Sequence, residues 1–211
     1  GGLRGIDLRG RTFGALGTGS IARHALRIAG GFGMRRLGYD IKPDQEAAGE
    51  IGFEYVELDE LLGESDILSL HVPYNKHTHH LLDAEAIAKM KDGAILINTA
   101  RGGIVDPQAL LEALRSGKLS GAGLDVLEAE QSVGEEAELL SRNFDQDKLV
   151  GLVRNHAMIQ MENVIITPHM AFNSEEAVLR IVDTTVENIH AFASGEPANV
   201  VNKDVLEKVK G

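Results

Sequence analysis

Three polar residues in the second half of the chain could together act on an anionic substrate. Arg101, Asp125 and His169 each follow an apolar run that is typical of a buried strand. A guanidinium presents a fixed fork of donors that suits a carboxylate, and an imidazole exchanges protons near neutral pH. A carboxylate beside the imidazole raises its pKa and fixes its orientation. We therefore expect a site for a 2-keto or 2-hydroxy acid, where His169 exchanges a proton with the substrate oxygen.

A glycine-rich turn near the start of the chain has the pattern of a dinucleotide-binding loop. Residues 17–22 read Gly-Thr-Gly-Ser-Ile-Ala, which is G-x-G-x-x-G with alanine at the third position. The turn lies between a predicted strand at 12–16 and a predicted helix at 21–29, the context that the motif requires. The first glycine permits the sharp turn, the second lets a pyrophosphate approach the backbone, and the helix N-terminus supplies N–H groups.

An acidic residue follows the second predicted strand, where a dinucleotide's ribose would lie. Asp40 comes 21 positions after Gly19. A carboxylate there accepts hydrogen bonds from ribose hydroxyls and repels a 2′-phosphate, which favours NAD over NADP. Alternatively, Asp40 serves only to open the turn 40–44. Lys42 is close enough to weaken the discrimination, so the sequence does not predict strict NAD specificity.

The elements that must position these residues are short apolar runs alternating with helical patterns. Such strand–helix units imply a mainly parallel sheet with right-handed crossovers. The predicted fold class is α/β, a Rossmann-type doubly wound sheet of about seven strands within one domain at 3–211. Ligands of such sheets bind beyond the carboxyl ends of the strands, where the three polar residues converge if their strands are neighbours. The predicted strands are 12–16, 36–39, 53–56, 67–70, 94–98, 121–124 and 163–166; the predicted helices are 21–29, 58–62, 84–90, 107–116 and 174–193, with 131–160 helical in part.

Composition excludes several other classes of function. The chain has 21 Lys and Arg against 32 Asp and Glu, and a net charge of -11 disfavours nucleic-acid and membrane-surface partners. The absence of cysteine excludes disulfides, zinc–thiolate sites and thiol nucleophiles, and it fits a cytoplasmic location. No metal site is predicted either. The segment 77–80, His-Thr-His-His, lacks an acidic residue at ligand spacing and is typical of a solvated loop.

The chain resembles the D-2-hydroxyacid dehydrogenases, particularly their D-lactate dehydrogenase branch. The matching segments occur in order across nearly the whole chain, and together they are highly specific. They are 17–21 (Gly-Thr-Gly-Ser-Ile), 70–73 (Leu-His-Val-Pro), 98–103 (Asn-Thr-Ala-Arg-Gly-Gly), 123–126 (Gly-Leu-Asp-Val) and 167–169 (Thr-Pro-His).

The resemblance implies hydride transfer between NADH and a 2-keto acid such as pyruvate. It implies that Arg101 binds the substrate, that Glu130 is the catalytic carboxylate and that His169 is the acid–base residue. Glu128 and Glu130 both follow Asp125; the spacing favours Glu130, and Glu128 is the alternative.

The glycine motif and the resemblance together predict the residues that contact NAD. The resemblance implies that Val72 and Pro73 line the adenine side and that Asp125 contacts the nicotinamide side. Asn173 stands where several resembled enzymes carry an aromatic residue, which leaves the size of the substrate side chain open. The predicted cofactor residues are Gly17, Thr18, Gly19, Ser20, Ile21, Asp40, His71, Val72, Pro73, Thr78, Thr99, Ala100, Asp125 and His169.

In the resembled enzymes a substrate-domain segment precedes the glycine loop, which here begins at Gly17. We therefore expect the cofactor domain alone, without that segment, binding NAD(H) with little or no pyruvate reduction. The resemblance also implies a homodimer. The alternative is a non-catalytic NAD-binding or NAD-sensing module, although retention of Arg101, Glu130 and His169 together favours an enzyme.

Overall fold

The computed structural model describes residues 5–128 and 146–200. The predicted catalytic carboxylate Glu130 lies outside the described residues. The chain divides into two compact units, Gly1–His169 and Met170–Gly211, and the first unit contains the sheet.

Seven strands form one parallel sheet, which confirms the predicted fold class. They are β1 (Thr12–Leu16), β2 (Arg35–Tyr39), β3 (Glu54–Tyr55), β4 (Ile67–Leu70), β5 (Ala94–Asn98), β6 (Leu119–Leu124) and β7 (Val164–Ile166). Their spatial order is β3-β2-β1-β4-β5-β6-β7, and each neighbouring pair is parallel. The chain winds from the centre to one edge and then returns to build the other half. The order therefore reverses between β1 and β4, the point where open α/β sheets bind ligands.

The helices lie close to their predicted positions, with one addition. The seven-residue helix α2 occupies a stretch that the sequence pattern did not mark as helical. Asp44 caps it by accepting a hydrogen bond from the N–H of Ala47 at 3.0 Å. The helices are α1 (Ser20–Gly31), α2 (Gln45–Ile51), α3 (Leu58–Glu64), α4 (Ala84–Lys89), α5 (Pro107–Ser116), α6 (Gln146–Ile159) and α7 (Glu175–Ala193), with a 3-10 turn at Gly102–Ile104.

The core lies on both faces of the central strands. Leu16, Leu68, Leu70 and Leu96 are completely buried, as expected for strands of a parallel sheet that helices cover on each side. Because these strands are fixed by burial, the turns that leave their carboxyl ends are held at defined places on one edge of the sheet.

The second unit contains the long helix α7. Its N-cap is Ser174, whose hydroxyl accepts a hydrogen bond from the N–H of Ala177 at 3.2 Å, and Glu175 and Glu176 occupy its first turn. Over the described parts of both units, no helix is long and apolar enough to cross a membrane.

Candidate cofactor and substrate site

A cleft of about 600 Å³ opens beyond the carboxyl ends of β1, β4 and β5. It lies where the strand order reverses, and three chain segments that the sequence singled out form its walls. The glycine loop, the end of β4 and the turn after β5 contribute Gly19, Ser20, Ile21, Ala22, Leu70, His71, Val72, Pro73, Tyr74, Thr99, Ala100 and Arg101.

The two glycines of the loop have different surroundings, as a phosphate-binding turn requires. Gly17 has a φ of +89°, and a Cβ there would lie 2.9 Å from the carbonyl carbon and oxygen of His71. Only glycine therefore allows the loop to lie so close to the end of β4. A Cβ on Gly19 would meet nothing within 4 Å, so the backbone at this position is open to a ligand.

The N-terminus of α1 is suited to an anion. Its N-cap is Gly19, no side chain caps it, and its first turn contains no acidic residue. The first N–H groups of a helix have no partner within the helix and carry part of its positive dipole. Asp44, Asp83 and Asp106 cap α2, α4 and α5 respectively with their carboxylates. The α1 terminus thus keeps its N–H groups available for a pyrophosphate.

Asp40 forms the turn 40–44, one of its two predicted roles, and it also binds the glycine loop, whereas its contact with ribose stays a prediction. Its Oδ1 accepts a hydrogen bond from the N–H of Lys42 at 3.0 Å, which forms the turn. Its Oδ2 accepts hydrogen bonds from the N–H of Thr18 at 2.8 Å and from the Thr18 hydroxyl at 3.1 Å, which ties it to the glycine loop. Partial burial raises the pKa of Asp40, but the hydrogen bonds from Thr18 and Lys42 outweigh it, and the net pKa is lowered. The carboxylate is therefore ionised at neutral pH.

Thr18, another predicted cofactor residue, is buried against its neighbours, and its contact with a cofactor stays a prediction. It is 2% exposed, and its Oγ1 lies 2.7 Å from the hydroxyl oxygen of Tyr55. The sequence analysis missed Tyr55, because a contact between residues 37 positions apart leaves no local pattern.

The turn after β5 presents Arg101 and is held by Asn98. Asn98 is 1% exposed; its Oδ1 accepts from the N–H of Ala100 at 3.0 Å and its Nδ2 donates to the carbonyl of Arg101 at 2.9 Å. The side chain of Arg101 is exposed and lines the cleft. A Cβ on Gly102 would lie 2.1 Å from the carbonyl carbon of Leu127, so this turn lies directly against the backbone that leaves β6.

Asp125 and Thr167 tie the ends of β6 and β7 together. Asp125 is 4% exposed, its carboxylate accepts a hydrogen bond from the Thr167 hydroxyl, and its carbonyl accepts one from the N–H of His169 at 2.9 Å. His169 has a φ of 51°, an uncommon conformation for a residue with a side chain. Because β5, β6 and β7 are neighbours, Arg101, Asp125 and His169 follow adjacent strands, as predicted.

The histidines of segment 77–80 have the acidic neighbour that the sequence analysis did not find. Nε2 of His80 lies 2.9 Å from Oε1 of Glu128, which is 48 positions away, and the nitrogens of His79 and His80 lie within 4.8 Å of that carboxylate. The two imidazoles are nevertheless stacked, with centroids 3.9 Å apart and planes inclined by 26°. A metal lies in the plane of each imidazole that binds it, so two nearly parallel rings do not converge on one ion. The absence of a metal at this site stays a prediction that the stacking supports.

Thr78, another predicted cofactor residue, has its hydroxyl engaged within its own turn. Its Oγ1 donates to the carbonyl of Pro73 at 2.6 Å and accepts from the N–H of Asn75 at 2.9 Å. A contact between Thr78 and the cofactor stays a prediction.

His71 is a largely buried imidazole in the cleft wall. Its Nε2 lies 2.9 Å from the hydroxyl of Ser69, and burial lowers its pKa to about 4. The ring is therefore neutral at neutral pH.

Three features define a Rossmann-type dinucleotide-binding domain. They are the parallel sheet whose strand order reverses, the glycine loop at the point of reversal, and Asp40 directly after β2. Comparison with known families is more specific. The sequence profile described as "D-isomer specific 2-hydroxyacid dehydrogenase, NAD binding domain" matches residues 1–171. The chain belongs to this family and has its NAD-binding domain.

The similar proteins are named after different 2-oxo and 2-hydroxy acids. The chain is 40% identical to an aromatic 2-oxoacid reductase of Clostridium sporogenes over 91% of its length, and 40% identical to a glyoxylate reductase of Thermococcus litoralis over 96%. This chain spans 56% of the length of the first relative and 55% of the length of the second. The crystal structure of D-lactate dehydrogenase from Aquifex aeolicus, complexed with NAD and lactic acid, is 41% identical with a TM-score of 0.81, over 92% of this chain and 56% of that one.

Because burial lowers the pKa of His71, we expect the protein to lose stability in mild acid. Its pKa is about 4 in the folded protein, against an ordinary value of 6.5. Above pH 6.5 the ring is neutral in both states. As the pH falls from 6.5 towards 4, the unfolded chain binds a proton that the folded chain excludes, so the free energy of unfolding decreases by up to about 1.4 kcal/mol per pH unit.

Denaturant unfolding between pH 7 and pH 4.5 measures this effect. We expect a His71→Asn variant to lose this contribution and show a flatter profile, whereas a control His24→Asn, exposed on α1, keeps the slope of the unmodified chain. Equal slopes for the unmodified chain and His71→Asn would contradict the assignment.

Proposed function

We propose that this chain is the cofactor domain of an NADH-dependent reductase of 2-oxo acids, with pyruvate among its substrates. The observation that carries the proposal is that Arg101 lines the same cleft as the glycine loop. A cofactor domain that only bound or sensed NAD would need no guanidinium there. The substrate class, the residue roles and the activity of the whole protein are parts of this proposal.

The described residues fit NAD along the cleft. The uncapped N-terminus of α1 would accept the pyrophosphate, next to the open backbone of Gly19. Asp40, already held by Thr18, would accept a ribose hydroxyl. Val72 and Pro73 would supply apolar wall on the adenine side.

The residues at the ends of β5 and β7 would carry the substrate chemistry. When bound, NADH supplies the hydride that reduces the carbonyl carbon of the acid. Arg101 would bind the substrate carboxylate with two parallel hydrogen bonds and polarise the carbonyl. His169 would donate a proton to the carbonyl oxygen, which completes the 2-hydroxy acid, and would take the proton back in the oxidation.

Glu130 is the proposed carboxylate partner of His169, and the contacts of Glu128 support this choice. The carboxylate of Glu128 is bound by Nε2 of His80, and its carbonyl accepts from the buried amide of Asn155 at 3.2 Å. Glu128 therefore has a structural partner of its own. A carboxylate at Glu130 would hold the imidazole of His169 in the orientation that proton transfer requires.

The cofactor assignment is tested by fluorescence titration with NADH and NADPH. We expect saturable NADH binding and weaker NADPH binding, because Asp40 repels a 2′-phosphate. An Asp40→Ala variant should bind NADH about tenfold more weakly and discriminate less, since a charged hydrogen bond is lost. If the Asp40→Ala variant kept the full preference for NADH over NADPH, the assignment of Asp40 to the ribose site would be wrong.

The catalytic assignment is tested by single-turnover oxidation of NADH, with the chain in excess and pyruvate, glyoxylate or phenylpyruvate added. We expect Arg101→Lys to slow oxidation about a hundredfold without changing the Kd for NADH, because lysine lacks the planar fork. Arg115→Lys, on the exposed side of α5, is the matched control. An equal rate of oxidation for Arg101→Lys and the unmodified chain would contradict the role of Arg101.

A homodimer is part of the proposal, and we assign its contact surface to the outer face of α1. Ile28 is 63% exposed and Phe32, just after the helix, is 55% exposed. A second copy of this chain would cover such apolar residues. We expect a dimer in sedimentation equilibrium at micromolar concentration and a monomer for Ile28→Asp, whereas Val153→Asp, 63% exposed on α6, is the control. A monomeric unmodified chain would contradict this.

A further inference from the structure

The adenosine end of the site contains a chain of four hydrogen-bonded groups that the expected role of Asp40 does not explain. The N–H of Asp44 donates to the hydroxyl oxygen of Tyr55 at 3.0 Å. That hydroxyl lies 2.7 Å from Oγ1 of Thr18, which lies 3.1 Å from Oδ2 of Asp40. These hydrogen bonds thus connect the N-cap residue of α2 to the carboxylate that would bind ribose.

The direction of each hydrogen bond follows from the groups themselves. An ionised carboxylate only accepts, so the single hydroxyl proton of Thr18 is donated to Asp40. The contact between Thr18 and Tyr55 must then be donated by Tyr55, whose oxygen accepts from Asp44. Every donor points towards Asp40. Tyr55 thus donates to the same Thr18 oxygen whose proton is donated to Asp40.

Packing fixes both hydroxyls. The ring of Tyr55 meets that of Phe53 edge to face, with centroids 5.0 Å apart. A Cβ on Gly38 would lie 2.8 Å from the Phe53 ring and 2.9 Å from the methyl of Thr18, so the missing side chain in β2 lets β3 approach the glycine loop.

Arg23 binds both sides of the chain of hydrogen bonds. Its Nε donates to the carbonyl of Thr18 at 3.0 Å, and its Nη2 lies 2.8 Å from Oδ2 of Asp44. The positions of Thr18 and Asp44 are therefore set by one guanidinium on α1, and Tyr55 lies between them.

We propose that Tyr55 is a positioning residue that sets the preference for NAD over NADP by holding Asp40 through Thr18. The two donors of Thr18 occupy Oδ2. Oδ1 accepts a hydrogen bond from the N–H of Lys42 and has a second lone pair, with which it would accept a ribose hydroxyl. A carboxylate held in this way cannot rotate away from a 2′-phosphate. This inference rests on the proposed ribose-binding role of Asp40.

Tyr55→Phe in the full chain tests the inference, because it removes one oxygen and keeps the ring. We expect the Kd for NADH to rise about fivefold, the loss of one hydrogen bond, and the Kd for NADPH to change less. The Kd for NADPH divided by the Kd for NADH should therefore fall, by up to about fivefold. Binding of reduced nicotinamide mononucleotide, which has no adenosine, should not change.

Tyr39→Phe is the matched control. Tyr39 precedes Asp40 at the end of β2, and its hydroxyl makes no hydrogen bond with the described residues, so both Kd values should stay as in the unmodified chain. Thr18→Val supplies a second route: it should lower the same ratio, and adding Tyr55→Phe to it should change the ratio little, since Tyr55 acts through Thr18.

The outcomes separate this inference from the proposed function. If Asp40→Ala lowers the selectivity but Tyr55→Phe leaves it unchanged, Tyr55 has no positioning role and only this inference fails. If Tyr55→Phe weakens NADH, NADPH and the mononucleotide equally, its effect is structural and the inference is also wrong. If the unmodified chain binds neither dinucleotide, the proposed function fails together with it.

Discussion

The close parallel pairing of β1 with β4 is the constraint on which the site depends. Leu16 pairs with Leu70 at the carboxyl ends of these strands, so the glycine loop and the end of β4 leave the sheet side by side. Gly17 has no side chain, which lets the two segments touch. From this point the chain continues in opposite directions across the sheet. The gap that results is the cleft, and a side chain at Gly17 would have to push its walls apart.

The polar residues at this edge of the sheet fall into two groups with different tasks. Asn98 and Asp125 are buried and use their side chains to hold backbone or a neighbouring hydroxyl. Arg101 is exposed in the turn that Asn98 holds. Such a division is required because a ligand site needs groups that face the ligand, and these are accurately placed only where buried hydrogen bonds fix the turns that bear them.

Local pattern predicted most of the fold but only part of the site. The strands were predicted because apolar runs such as 94–98 carry their signal within a few residues, and the glycine loop has its own motif. The short helix α2 was not predicted, because seven residues offer few periodic positions and the segment directly before it, 40–44, was interpreted as a turn. The pairing of His80 with Glu128 and of Thr18 with Tyr55 could not be predicted, since each joins distant segments that only the sheet order brings together.

The negative net charge of the chain opposes the binding of the proposed anionic ligands, and the arrangement of charges at the site offsets this repulsion. The net charge is -11, yet both a dinucleotide and a 2-oxo acid are anions. The acidic residues Asp40 and Asp125, which follow β2 and β6, already accept hydrogen bonds, and this disperses their charge into the protein. The groups that line the opening are Arg101 and the uncapped N-terminus of α1, both positive. Electrostatic attraction within the first few ångströms outweighs a screened net charge spread over the surface, so an acidic domain can still hold two anions.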